Sequence, residues 1–330
     1  MGNRGLEVGT CQPLEPAANQ VQVRVSYCGI CGTDLHIYFG DLDVRVQPPR
    51  IIGHEMIGFV EKTGSAVEGY KPGDLVTVRP LITCGECDAC KRGHNHVCKK
   101  LCVIGVDAPG AMQSFWTVPA DTLHRVPTSL SLEEAALTEP IAVACHDVRL
   151  GNVQAGHNVA VLGCGPIGLL IALVARDKGA HVILSEPSEI RRKVAEGMGL
   201  KCVHPSELEK AVDEMTNGVL CDVVFEVSGA GPAAAAMTKV TRTRGMIVIV
   251  SIFAKPPVVD LKEFFARELQ MCGARVYEPR DFEEAIALAA SGRLPLKQVI
   301  TSVLPLEQVN EAFQAAESGA AMKVLLRIQS

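Results

Sequence analysis

The sequence predicts a two-domain α/β protein in which a β-rich domain accompanies a doubly wound parallel sheet. Three observations predict it. The first 130 or so residues are rich in Gly, Pro and short alternating stretches, with little helical periodicity. Beyond about residue 140, short apolar runs ("HNVAVLG", "AHVILSE", "CDVVFEVSG", "GMIVIVS") recur at roughly regular intervals. Helix-like stretches such as "PIGLLIALVARDKG" and "SEIRRKVAEGMG" lie between them, the pattern of βαβ units. Finally, 330 residues suffice for two ordinary domains with a sizeable core.

Composition narrows the function classes. Apolar residues make up 48% of the chain and charged residues 21%, as in soluble globular proteins. The formal net charge is −5 and no basic block stands out, which argues against nucleic acid or an anionic membrane as partner. "MGNRGLEVGT" has no apolar core or cleavage pattern of a secretory signal, and Leu6 does not fit a myristoylation motif. The longest apolar run, "VAVLGCGPIGLLIALVA" at 159–175, is short for a membrane span and is broken by glycines and a proline. Thirteen cysteines, an odd number in a long chain, argue against a secreted disulfide scaffold. The expectation is a cytoplasmic protein that uses some of its thiols for metal.

The elements follow in order. "NQVQVRVSY" at 19–27 alternates polar and apolar as a half-buried strand does, and "IIGHEMIGFVEKTG" and "GDLVTV" read the same way. "DFEEAIALAASG" and "LEQVNEAFQAAESG" are amphipathic helices, each closed by a glycine. "TSVLP" and "MKVLLRI" are strands flanking the second of them. No internal repeat is present.

"CGECDACKRGHNHVC" spaces Cys84, Cys87, Cys90 and Cys98 as C-x2-C-x2-C-x7-C. Four thiolates suit a closed, tetrahedral structural zinc, and Gly85 and Gly93 ease the turns between them. An iron–sulfur cluster, or zinc ligation through His94 or His96, is the alternative, but the spacing differs from the bacterial ferredoxin run. The two histidines are expected in an exposed loop, and Cys102 as a packed free thiol.

"VAVLGCGPIG" sets Gly163-x-Gly165-x-x-Gly168 directly after a strand and before a helix. In that context Gly163 permits the tight turn, Gly165 lets a pyrophosphate approach the helix N-terminus, and Gly168 lets helix and strand pack closely. The turn, including Pro166 and Ile167, is therefore a candidate dinucleotide site, against the plainer reading of an ordinary βα turn. Glu186, about 20 residues on, ends the next strand. An acid there accepts hydrogen bonds from ribose hydroxyls and repels a 2′-phosphate, favouring NAD over NADP. Arg191 and Arg192 soften this, because a nearby arginine can accommodate a phosphate. Arg191 is kept as a cofactor contact, although both side chains are expected on a solvated helix face.

"CGICGTDLH" at 28–36 can be read as a Cys28–Cys31 redox pair or as half of a metal site. Cys31, His54 and Glu55 of "IIGHE", and Glu139 of "TEP", are all of zinc-donor type, and an open catalytic site wants three protein ligands and water. A core histidine at 54 and a helix boundary at Glu139-Pro140 are the plainer readings. No thioredoxin-like βαβ surrounds the cysteine pair, which disfavours the redox reading.

"GICGTDLH", "GHE", the four-cysteine lobe, "GCGPIG" and "SEPSE", in this order, make the chain resemble the zinc-dependent medium-chain dehydrogenase/reductases over nearly its full length. The resemblance implies a GroES-like catalytic domain at residues 1–143 and 277–330 and a Rossmann domain at 144–276. It implies two zinc ions per chain and NAD. One zinc would be catalytic, held by Cys31, His54 and Glu55, with Glu139 as an acid that ligates or leaves it; the other would be structural. Asp34 would orient His54, Thr33 would take the substrate proton, and His36 would pass it towards solvent. The implied reaction is oxidation of a secondary alcohol to a ketone by hydride transfer to nicotinamide, run in either direction. A homodimer or homotetramer is implied, paired through the strand near "LQMCGARV". "CGTDLHIY", "PPRIIGHE" and "SEPSE" resemble L-threonine 3-dehydrogenases, whereas "TEPIAVACHDV" resembles polyol and butanediol dehydrogenases. The threonine enzymes' tryptophan after "HIY" is missing from "FGDLDVRV", so a polyol or vicinal diol is favoured. Arg275 or Tyr277 could meet substrate hydroxyls. The family's usual first strand is missing here or replaced. A zinc-free relative or a non-catalytic NAD-binding protein is disfavoured by the cysteine lobe and the Cys, His, Glu set.

Overall fold

The computed structural model describes residues 5–329, arranged in two compact units. One comprises the described residues up to Glu139, with Glu278–Gly292 and those from Leu296 onward; the other comprises Pro140–Tyr277 and Arg293–Pro295.

In the first unit, strands β1 (Gln20–Gly29), β2 (Glu55–Thr63) and β3 (Leu75–Val78) form an antiparallel meander. The short pair β4 (Leu81–Ile82) and β5 (Cys102–Val103) carries the cysteine lobe between its strands. β6 (Phe115–Pro119) and β7 (Leu123–Arg125) return to the sheet. β1 is buried on both faces rather than half-buried, with only Gln20, Arg24 and Tyr27 partly open. The reason is its place: β2 runs along one side, and β6 and then a strand from the end of the chain pair with the other. Its valines Val21, Val23 and Val25 pack with Val60, Val76 and Trp116. Residues 5–17 contain no strand, and residues 1–4 lie outside the described residues.

The second unit is a six-stranded, wholly parallel sheet built from β8 (Asn158–Leu162), β9 (His181–Ser185), β10 (Lys201–Val203), β11 (Cys221–Glu226), β12 (Thr241–Ile249) and β13 (Gln270–Gly273). The order is β10-β9-β8-β11-β12-β13. This is the 3-2-1-4-5-6 order of the doubly wound Rossmann sheet, whose strand order reverses beside β8. The apolar run at 159–175 divides into β8, the glycine turn and most of the helix Pro166–Asp177. Among the described residues no helix is long and apolar enough to cross a membrane.

The chain then re-enters the first unit. The helix Pro279–Ala290 leads to β14 (Ile300–Pro305), the helix Val309–Glu317 and β15 (Lys323–Arg327). Both helices are followed by a left-handed glycine, Gly292 and Gly319, as the sequence suggests. β15 pairs antiparallel with the end of β1 and parallel with β14, and Phe313 and Ala312 of the helix pack against Val324 and Leu326.

Two glycines of the β8 turn differ in the space they leave. A Cβ on Gly168 would lie 2.0 Å from the Gly163 carbonyl oxygen, whereas one on Gly165 would meet nothing nearer than Arg191 Nη1 at 3.9 Å. Gly168→Ala is therefore expected to lower unfolding free energy by about 1–3 kcal/mol. Gly165→Ala should stay within about 0.5 kcal/mol of wild type, both read by denaturant titration.

Candidate active site

The site is built where β1 ends and β2 begins. Gly29 pairs with Glu55, so the residues just beyond each strand end, Cys31 and His54, are brought side by side. Gly29 has to be glycine: a Cβ there would lie 2.3 Å from Glu55 Oε2. Past Gly29 the chain turns into the eight-residue helix Gly32–Phe39, with Cys31 as its N-cap. Asp34 Oδ2 accepts the Cys31 N–H at 2.9 Å, which fixes the cysteine backbone. The alternation pattern did not disclose this helix, because little more than two turns with a single buried residue carry no clear period. Nor does β2 include Ile51–His54: these residues approach it as irregular chain, with Gly53 at φ +95°.

One donor atom each from Cys31, His54 and Glu55 lie within 4.8 Å of one another. His54 and Glu55 are buried, and Cys31 is half-buried. Asp34 is fully buried, and its Oδ1 lies 3.8 Å from His54 Nδ1, with neither atom hydrogen-bonded. The ring thus gives its Nδ1 edge to the carboxylate and its other edge to Cys31. Burial opposes charge on this ring, but Asp34, then Cys31 and Glu139, hold its proton affinity well above the ordinary histidine value. Burial pushes the Asp34 carboxyl up, with His54 pulling the other way. A thiol, an imidazole and a carboxylate converging on one point, backed by an acid behind the imidazole, fit zinc.

Glu139 stands outside this set of converging donors. It is buried in the first turn of the helix Thr138–Leu150 and acts electrostatically on His54 and Lys323. Thr33 Oγ1 is 3.8 Å from Cys31 Sγ. His36 is exposed, with Nδ1 2.8 Å from Asp41 Oδ2.

The sequence reading missed the cation beneath the site. Lys323 Nζ donates to both Glu55 oxygens, at 2.8 and 2.7 Å, and to the Ile30 carbonyl at 3.2 Å. Both side chains are nearly inaccessible, Lys323 2% and Glu55 1% exposed. Burial disfavours the ammonium, but Glu55, with Cys31 and Glu139, more than offsets this and the Lys323 pKa lies above its usual 10.5. The available signal was a lysine opening an otherwise apolar strand, "KVLL".

In the cysteine lobe Cys84, Cys87, Cys90 and Cys98 converge in the same way. Cys98 Sγ lies 3.4 Å from Cys84 Sγ and 3.9 Å from Cys87 Sγ. Four sulfurs about 2.3 Å from a central zinc would lie about 3.8 Å apart, so the residues fit the ion. Backbone N–H groups of Cys90 and Lys99 lower the Cys87 thiol to about 6. His94 is exposed, whereas His96 is tucked in, its side chain 12% exposed and Nδ1 3.7 Å from Glu278 Oε1. Cys102 is a partly buried free thiol, and Cys28 a buried one.

At the glycine turn Gly163 adopts φ +114°. Glu186 is buried, and each of its oxygens accepts a backbone N–H: Oε2 from Cys164 and Oε1 from Ser188, both at 2.9 Å. The carboxylate therefore braces the turn. Arg191 and Arg192 do not sit on a solvated face. Arg192 Nη1 donates to the carbonyls of Glu186 and Pro187 at 2.8 and 2.7 Å, and Arg191 reaches over Gly165. Ser188 caps their helix and turns its first residues back over the strand end. In the second unit Arg275 is exposed and Tyr277 buried.

The alcohol dehydrogenase GroES-like domain matches residues 17–128, and the zinc-binding dehydrogenase domain matches residues 166–291. The 2-dehydro-3-deoxy-L-galactonate 5-dehydrogenase of Pseudoalteromonas atlantica is 48% identical over 315 residues, covering 95% of this chain and 92% of its own. The L-threonine 3-dehydrogenase of Bacillus subtilis is 35% identical, covering 93% and 91%. A protein assigned as a zinc-binding dehydrogenase in Sinorhizobium meliloti, solved with NADP, superposes with a TM-score of 0.89 at 31% identity, covering 95% and 93%. The chain belongs to the zinc-dependent medium-chain dehydrogenase/reductase family. Its fold is that of the family's GroES-like and Rossmann domains, and its relatives are oxidoreductases.

Removing Lys323 alone would leave Glu55 buried and unpaired. Lys323→Met should cost about 3–5 kcal/mol of stability, and the double variant Lys323→Met/Glu55→Gln should regain most of it, both read by urea unfolding. Because the lysine pKa is raised, the stability that depends on its ammonium is complete below its ordinary 10.5 and is lost as pH rises through the folded value.

Proposed function

We propose that this protein is a zinc- and NAD-dependent dehydrogenase that oxidises a secondary hydroxyl of a polyhydroxylated substrate to a ketone, reversibly. The convergence of Cys31, His54 and Glu55 donors within 4.8 Å carries this reading. These three residues would hold the catalytic zinc, with Glu139 close by as a further acid, and Cys84, Cys87, Cys90 and Cys98 would hold a structural zinc. Zinc supplies Lewis acidity that lowers the pKa of a hydroxyl, and the nicotinamide supplies a hydride acceptor.

The protein's own groups do the rest. Asp34 fixes the His54 ring. Thr33 receives the substrate's proton and His36 releases it to water. Gly163, Gly165, Pro166, Ile167 and Gly168 cradle the pyrophosphate at the start of their helix. Glu186, as a buried anion at the end of β9, favours NAD over its 2′-phosphorylated form. Arg191, a cation over Gly165, meets the pyrophosphate side. The unit ending at Glu139, with Glu278–Gly292 and the residues from Leu296 onward, acts as the catalytic domain, and Pro140–Tyr277 with Arg293–Pro295 as the cofactor domain, within a few residues of the boundaries expected at 143 and 277.

The substrate reading leans on the relative from Pseudoalteromonas atlantica, named for carbon 5 of a deoxy sugar acid. Such a substrate offers the vicinal hydroxyls of a polyol together with a carboxylate. L-threonine is the second reading, favoured by "SEPSE" and by the relative from Bacillus subtilis. Self-association through β13 is supported by its position at a sheet edge and by exposed Met271, Phe265 and Val258. All thirteen cysteines are free thiols, which suits the cytoplasm.

The test is NADH formation at 340 nm with 2-dehydro-3-deoxy sugar acids, sorbitol, 2,3-butanediol and L-threonine, each with NAD and NADP. Chelator-sensitive turnover of a sugar acid or polyol with NAD, and two zinc ions per chain by metal analysis, is the expected result. Turnover of threonine alone would move the substrate class and keep the chemistry. One zinc per chain with no turnover would overturn the role given to Cys31, His54 and Glu55.

A further inference from the structure

We propose that Asp41 is a positioning residue for His36, holding the ring in the tautomer that carries its hydrogen on Nδ1 and leaves Nε2 to accept a proton. The inference rests on the reading that His36 relays the substrate's proton, and it adds a residue that the family motif "GTDLH" does not contain.

The helix Gly32–Phe39 ends in a way that places Asp41 on the relay residue. Gly40 is left-handed, at φ 83° and ψ 11°. The Gly40 N–H donates to the Ile37 carbonyl at 3.0 Å, and the Asp41 N–H to the His36 carbonyl at 2.9 Å. This pair of bonds is a Schellman stop. It ties Asp41 to His36 through the main chain, and the side chain then closes a second contact, Oδ2 to Nδ1 at 2.8 Å.

A carboxylate can only accept, so Nδ1 is the donor. In a neutral ring Nε2 is then the sole acceptor. Thr33 and His36 are three residues apart on the helix, on neighbouring positions of one face. On the relay reading Thr33 Oγ1 takes the substrate's proton, and a proton reaches Nε2 through an intervening hydroxyl or water. The ring releases that proton to water from the same nitrogen, while the Nδ1 hydrogen stays with Asp41. No electrons move in this step. The His36 and Asp41 side chains are 64% and 59% exposed, so water reaches the ring and the contact itself adds little stability. What the contact supplies is a chosen tautomer.

The experiment uses the zinc-loaded full chain with histidine ring nitrogens labelled with 15N, His36 being assigned by loss of its signals in His36→Gln. Long-range proton–nitrogen spectra of the neutral ring should show the Nδ1–H tautomer in the wild type and a mixture shifted towards Nε2–H in Asp41→Ala. Asp41→Asn, which keeps an acceptor oxygen, should restore part of the first form. In steady state Asp41→Ala should lower kcat a few-fold, about fivefold at most, because an exposed contact can bias the tautomer no further, with cofactor KM and zinc content unchanged. The double variant with His36→Gln should be no slower than His36→Gln alone. An Nε2–H tautomer in the wild type, additive losses in the double variant, or a loss of zinc and a raised cofactor KM in Asp41→Ala would each overturn the proposal. The tautomer is read without turnover, so an enzyme inactive on every alcohol tested would count against the dehydrogenase reading and leave the spectra to decide the role of Asp41.

Discussion

The buried ion pair between Lys323 and Glu55 is the constraint on which the first unit is arranged. A carboxylate almost without solvent contact needs a partner with good geometry, and the ammonium answers both of its oxygens at 2.7–2.8 Å while also satisfying the Ile30 carbonyl. That geometry requires β15 to lie against the end of β1, which it does from Tyr27 to Gly29. It also requires Gly29, because any side chain there would occupy the space of the Glu55 carboxylate. Strand pairing, a glycine and a buried charge pair thus specify one another. The metal-type donors Cys31 and His54 are held at the rim of this arrangement, on the residues where the strands give out.

The second unit uses a carboxylate in a related way, without a cation. Glu186 is neutralised in part by backbone N–H groups of Cys164 and Ser188, so it links the first glycine turn to the start of the next helix. Glu226 does the same at the end of β11, accepting from the Ser228 backbone and hydroxyl at 3.0 and 2.6 Å and from the Gly229 N–H at 3.1 Å. Both acids sit at carboxyl ends of strands on the side where a doubly wound sheet binds ligands. The loops of that edge are therefore held in part by hydrogen bonds to these two carboxylates.

Much of this architecture was legible in the sequence, and the reasons differ by element. The parallel sheet was visible because its central strands β8 and β11 are buried on both faces and read as short apolar runs between helix-like stretches. The cysteine lobe was visible because metal-ligand spacing is a local property of the chain. The donors Cys31, His54 and Glu55 could be nominated by residue type, but only the pairing of Gly29 with Glu55 puts them in one place. What escaped was non-local or short. Lys323 acts 268 residues away from its partner, a distance no motif spans. The helix Gly32–Phe39 is too brief to show a period, and Asp41 follows from how that helix stops. The arginines after Glu186 were misplaced because helical position alone does not tell which end of a first turn folds back over a strand.

The return of the chain into its first unit has a consequence for biosynthesis. As the polypeptide leaves the ribosome, Glu55 emerges 268 residues before the lysine that neutralises it. The second unit, a nearly continuous stretch, can fold on its own in that interval. Until β15 arrives, the carboxylate and its neighbouring cysteine and histidine stand in an unfinished sheet with an open edge beside β1. The nascent chain therefore spends most of its synthesis with its metal-type donors brought together by β1 and β2 but with the Glu55 carboxylate still unpaired, a period in which a holding chaperone or an early-bound ion would act on an exposed edge rather than on a finished pocket.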